Sequence, residues 1–90
     1  MEERIGTNIK ISLQNEHGIN KSLNYRFENE ICLKVALYNC SKNAERVKNV
    51  LNNYDEFNYK WKTEYEDNNL MIFKSKDILG NIDYFNLKFE

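Results

Sequence analysis

Ile9, Ile11 and Leu13 alternate with Lys10, Ser12 and Gln14, the period-two pattern of a strand with one buried face. Glu16-His17-Gly18 supplies a turn. Beyond it Leu23, Tyr25 and Phe27 alternate with Ser22, Asn24 and Arg26, which reads as the returning arm of a hairpin. A third run sets Ile31, Leu33, Val35 and Leu37 against Cys32, Lys34, Ala36 and Tyr38. Helix competes here, yet the odd spacing and the β-branched residues predict a third strand.

From Ser41 the period lengthens. Ala44, Val47, Val50, Leu51 and Tyr54 recur at helical spacing, with Lys42, Arg46, Lys48, Asn49 and Asn52 on the opposite side. This predicts an amphipathic helix with Ser41 as its N-cap and Asn52-Asn53 at its far end. The two-residue period then returns. Tyr59, Trp61, Thr63 and Tyr65 oppose Lys60, Lys62, Glu64 and Glu66, and Asp67-Asn68-Asn69 turns the chain into a strand from Leu70 to Lys76. A turn over 77–81 leads to a last strand from Ile82 to Phe89. The expected fold is α+β, a mainly antiparallel sheet in the order βββ-α-βββ with one amphipathic helix packed on one face, forming a single domain over 1–90 without linker or tail.

Such a sheet has more apolar surface than its helix can hide. A helix is about 10 to 12 Å across and strands lie about 4.8 Å apart, so one helix masks two or three strands. Leu70 and Ile72 oppose Met71 and Phe73, and Ile82 and Tyr84 oppose Phe85 and Leu87. Apolar residues on both sides of a strand imply that something covers the second side: a curled sheet, a second copy of the chain, or a target protein. Homodimerisation is therefore an expected state. No proline blunts a strand, so edge protection falls to charges such as Lys74, Lys76 and Lys88.

Charge narrows the partners. Thirteen Lys plus Arg stand against 14 Asp plus Glu, a net charge of −1, and neither half of the chain holds a basic arm or an acidic tail. The charged amino terminus lacks an apolar segment, and the longest apolar runs are far below the roughly 20 residues that cross a bilayer. A cytoplasmic protein without membrane contact is expected. Abundant Asn, Lys, Ile and Tyr suggest an AT-rich coding sequence of the kind found in low-GC bacteria and their phages.

Residues for catalysis are sparse. His17 is the only histidine, in a turn with Glu16 as its sole acidic neighbour. Two cysteines and one histidine do not make a zinc site, and no cofactor or metal is expected. With a strand between them, Cys32 and Cys40 would stand roughly 26 Å apart, too far for a disulfide. Cys32 reads as a small core or sheet residue; for Cys40, just before the helix cap, an inert buried thiol is the favoured reading and a thiol pKa lowered by the helix terminus is the alternative. Glu64, Glu66 and Asp67 share their strand with Lys60 and Lys62, as on a solvated charged face.

The sequence thus points to a small noncatalytic protein-binding module and not to an enzyme. Its specific version is a phage or mobile-element inhibitor of a bacterial host factor, an anti-defence protein of the anti-CRISPR type, acting in the host cytoplasm on a host protein or complex. The expected partner-binding residues are Tyr59, Trp61, Glu64, Tyr65, Glu66 and Tyr84, because interfaces are enriched in Trp and Tyr. The alternative is a nucleic-acid or nucleotide binder using Tyr25, Arg26, Lys60 and Lys62. Strand alternation weighs against it by separating rings from cations, as does the negative net charge.

Overall fold

A computed structural model describes residues 2–6 and 8–90. Its elements are β1 (Glu3–Ile5), β2 (Ile9–Asn15), β3 (Asn20–Lys21), a 3-10 turn (Leu23–Tyr25), α1 (Glu30–Tyr38), α2 (Ala44–Tyr54), β4 (Trp61–Glu66), β5 (Leu70–Lys76) and β6 (Ile82–Phe89). The sheet runs β1-β2-β6-β5-β4, with β3 joined to β2, and every strand pairing among the described residues is antiparallel. The α+β class and the antiparallel sheet agree with the sequence pattern. The first half of the expected element order does not.

Two segments expected as strands are helical. Leu23 and Phe27 are buried four residues apart while Tyr25 is exposed, the spacing of a turn and not of a strand. In α1, Leu33 and Leu37 face the core at the same four-residue interval. Asn29 caps α1 by accepting from the Cys32 amide at 3.3 Å, and Glu30 lies favourably in the first turn. α2 is capped by Asn43, whose Oδ1 accepts from the Arg46 amide at 3.1 Å; Ser41, the expected cap, is instead left-handed at φ 51°, as is Lys42 at φ 55°. Those two residues reverse the chain between the helices.

Three central cross-strand rows build the inner sheet face, with Ile5, Ile9 and Phe89 in a fourth at its end. Ile11, Leu87 and Met71 form the first, Leu13, Phe85 and Phe73 the second, and Asp83, Ser75 and Trp61 the third. Against them pack Leu33 and Leu37 of α1, Ala44, Val47 and Leu51 of α2, and Leu23 and Phe27 of the connecting segment. Two helices and a loop thus cover the face assigned to one helix. The outer face holds four rows of its own: Lys10, Lys88 and Leu70; Ser12, Asn86, Ile72 and Tyr65; Gln14, Tyr84, Lys74 and Lys62; and Ile82 with Lys76. A bulge between Thr63 and Tyr65 puts Tyr65 opposite Ile72, so Tyr65 leaves the face of Trp61.

Lys74, Lys76 and Lys88 sit on interior strands and guard no edge. At β4, the outermost strand, Asn52 of α2 does part of that work. Its Oδ1 accepts from the Trp61 amide at 2.6 Å and its Nδ2 donates to the Trp61 carbonyl at 3.5 Å, the two bonds a neighbouring strand would make. The asparagine pair expected to end the helix lies within α2, which continues to Tyr54. No helix among the described residues is long and apolar enough to cross a membrane.

Candidate functional site

The connecting segment delivers Arg26 to the end of the sheet, where the guanidinium is 3% exposed. Nε donates to Asp55 Oδ1 at 3.0 Å, Nη2 to Asp55 Oδ2 at 2.7 Å and to Ser75 Oγ at 2.5 Å, and Nη1 to Asp83 Oδ2 at 2.8 Å. Lys21 Nζ meets the second Asp83 oxygen at 3.1 Å. Two cations and two carboxylates therefore balance. Burial disfavours the charged forms of Arg26 and Lys21, but the bonds to Asp55 and Asp83 outweigh it and hold both pKa values above their ordinary ones. The Trp61 ring lies 4.5 Å from the guanidinium carbon and completes the enclosure.

Outside this cluster a cleft of about 390 Å³ opens between Lys21, Tyr25, Phe57, Tyr59, Asn81 and Asp83. Four of the five guanidinium N–H groups are already used inward, which leaves the cleft little of Arg26 to offer a ligand. His17, at its rim, pairs with Glu16 at 3.4 Å, and among the described residues no serine or cysteine hydrogen-bonds to it. The arrangement is that of a structural lock: it ties the 3-10 turn, the end of α2 and strands β5 and β6 together.

The expected binding residues scatter. Trp61 is 1% exposed, stacked on Phe27 and edge-on to Phe85, so the interface residue anticipated from its type is a core residue. Its indole N–H is buried without an acceptor among the described residues. Tyr59 is half-buried beside Arg26. Glu64 and Glu66 are exposed, as is Tyr65, whose hydroxyl donates to Asp67 Oδ2 at 2.5 Å; Tyr84 lies half-buried on the outer face. Of the nucleic-acid set, Tyr25, Lys60 and Lys62 are exposed, but Arg26 is sealed among carboxylates and faces no phosphate. Sequence spacing gave no sign of this, because its partners lie 29 and 57 residues away.

Cys32, expected in the core or the sheet, is exposed on α1, and Cys40 is buried. Burial pushes the Cys40 thiol above its ordinary pKa, against the small downward pull of Arg46, and the thiol donates to the Ala36 carbonyl at 3.2 Å. The buried position agrees with the favoured reading of Cys40, and the alternative, a lowered thiol pKa, is contradicted because the residue follows one helix within the core and does not cap the next.

Besides exposed turn residues such as Ile78 and Leu79, two surfaces of the helices and sheet present side chains to solvent. The first is the outer side of α1, where Ile31, Val35 and Tyr38 are 78%, 58% and 54% exposed at the spacing of one helix stripe. Tyr38 is held there by Gly6 of the chain just after β1. That glycine has φ 65°, and a Cβ on it would stand 2.2 Å from the tyrosine ring. The second surface is a groove of about 610 Å³ on the outer sheet face, lined by Lys60, Lys62, Lys74 and Lys76 with Tyr59 and Glu64.

No protein-family model, curated protein sequence or solved structure matches the chain.

Proposed function

We propose that the protein is a noncatalytic module that binds another protein through the outer stripe of α1. One observation carries this reading: α1 is apolar on both sides, with Leu33 and Leu37 in the core and Ile31, Val35 and Tyr38 exposed. An exposed apolar stripe on a helix whose opposite stripe already fills the core is suited to a partner. Gly6 adds preorganisation, since a tyrosine ring already fixed in place loses less freedom on binding. The narrower version, an inhibitor of a bacterial host factor carried by a phage or mobile element, draws its support from small size and Asn- and Lys-rich composition.

A photo-crosslinking residue at Val35, with a control at exposed Asn68, tests the surface in bacterial lysate. The expected result is a nuclease-resistant, stoichiometric adduct with a different protein from position 35 alone. An adduct with a second copy of this chain, or equal capture from position 68, contradicts it.

A second reading, nucleic-acid binding, gains from the bulge near Glu64. It sets Tyr65 on the same sheet face as Lys62, Lys74 and Tyr84, which removes the separation of rings from cations that alternation implied. Steeply salt-dependent oligonucleotide binding that weakens in Lys60→Ala and Lys62→Ala variants would favour it.

A further inference from the structure

Two pairs of lysines face each other directly across neighbouring strands of the outer sheet face, and they are treated differently. Lys10 of β2 opposes Lys88 of β6, and each meets a carboxylate: Glu90, which Arg4 shares, lies 2.9 Å from Lys10, and Glu2 pairs with Lys88. Lys62 of β4 opposes Lys74 of β5, and among the described residues neither has an ion-pair partner. Lys60 and Lys76 line the same groove and are also unpaired among those residues. Like charges directly opposite each other destabilise a sheet. The fold neutralises one such pair and leaves the other, with two further lysines, in a groove holding one carboxylate, Glu64.

We infer that this groove is a docking site for an extended acidic segment of a partner protein. Residues two apart on a strand stand about 6.8 Å apart on one face, as do alternate side chains of an extended peptide. Lys60 with Lys62, and Lys74 with Lys76, present that interval twice, matching carboxylates at every second position of the guest. Glu64 and then Asp67, beside Tyr65, follow on the outer side of β4 and its turn, so favourable charge spans a few residues only. A short acidic stretch fits this extent, whereas a nucleic-acid strand continuing along the outer side of β4 would meet both carboxylates. Beyond Trp61, the outer edge of β4 pairs with no strand among the described residues, and its main chain is available to a peptide backbone. The site lies across the sheet from α1 and does not depend on the α1 reading.

The test uses the intact chain and three 12-residue probes: an oligoglutamate, its glutamine counterpart and an oligothymidylate. Amide shifts in NMR spectra and salt-dependent affinity are measured. The oligoglutamate is expected to shift residues 60–62 and 74–76, and the K62Q/K74Q variant to weaken its binding by roughly tenfold. K10Q/K88Q is expected to bind it as the parent does. K62Q/K74Q should also unfold at higher denaturant concentration, since it relieves the repulsion. Tighter binding of oligothymidylate assigns the groove to nucleic acid and overturns the proposal. So do the absence of shifts at millimolar oligoglutamate, equal binding of the glutamine probe, or a lowered unfolding midpoint in K62Q/K74Q.

Discussion

Arg26 and Asp55 are joined by two parallel hydrogen bonds across 29 residues of sequence, with both side chains buried at the end of the sheet. This pairing fixes the 3-10 turn against the end of α2, and the Arg26 carbonyl also accepts from the Glu56 amide at 3.0 Å. Removing the cation would leave Asp55 and Asp83 buried near each other with Lys21 alone. Arg26→Met is expected to destabilise the fold by about 3 to 5 kcal/mol, as is usual when one partner of a buried ion pair is lost. Lys21→Met should cost less, because Lys21 is partly solvated. Urea unfolding of both variants checks the order, and equal losses would contradict it.

The Tyr65 hydroxyl and the amides of Asn69 and Leu70 all donate to Asp67. The tyrosine bond first, and the amides after it, hold the Asp67 carboxyl below its ordinary pKa; the same carboxylate holds Tyr65 above its own. The signs set the window. A lowered carboxylate adds stability above its unfolded pKa of about 3.9 and loses it as pH falls through the folded value; a raised phenol adds stability below about 10 and loses it as pH rises through its folded value. The β4–β5 turn should therefore be tightest between these limits. NMR titration of Tyr65→Phe is expected to show the Asp67 midpoint moving upward, and an unmoved midpoint would contradict the pairing.

Thiol chemistry should divide the cysteines. Cys32 on the outside of α1 is expected to react with iodoacetamide in the folded protein, while Cys40 reacts only on unfolding. Mass spectrometry of the natively alkylated protein reads this directly. Equal labelling would place Cys40 outside the core.

Gly6 and Tyr38 predict a local effect. Gly6→Ala needs a left-handed alanine and a displaced ring, so it should cost about 1 to 3 kcal/mol and alter the Tyr38 ring signals in NMR spectra. Gly18→Ala shares the positive φ but meets no atom within 4 Å, and it should disturb no ring.

The second half of the fold was legible from alternation because β5 and β6 bury every second residue and lie between other strands. The first half was not. Apolar residues at 31, 33, 35 and 37 satisfy a strand pattern, yet only Leu33 and Leu37 are buried, and the β-branched Ile31 and Val35 that favoured a strand point outward. Local capping by Asn29 and tertiary packing decided for helix. Arg26 read as a surface cation because its carboxylates come from distant segments. Lys62 and Lys74 were visible as residues, but their opposition depends on strand register, which follows from the Asp67 turn and the bulge at Glu64.

A surface that exists to bind should be dispensable for folding. Ile31→Glu with Val35→Lys replaces the outer stripe of α1 by an oppositely charged pair four residues apart, which suits an exposed helix. The direct measurement is urea unfolding of this double variant alongside photo-crosslinked partner capture, with the crosslinker moved to Tyr38 in parent and variant alike. The account predicts unfolding within about 0.5 kcal/mol of the parent and loss of the heterologous adduct. A variant that unfolds several kcal/mol more easily, or that captures the partner as well as the parent does, would contradict it.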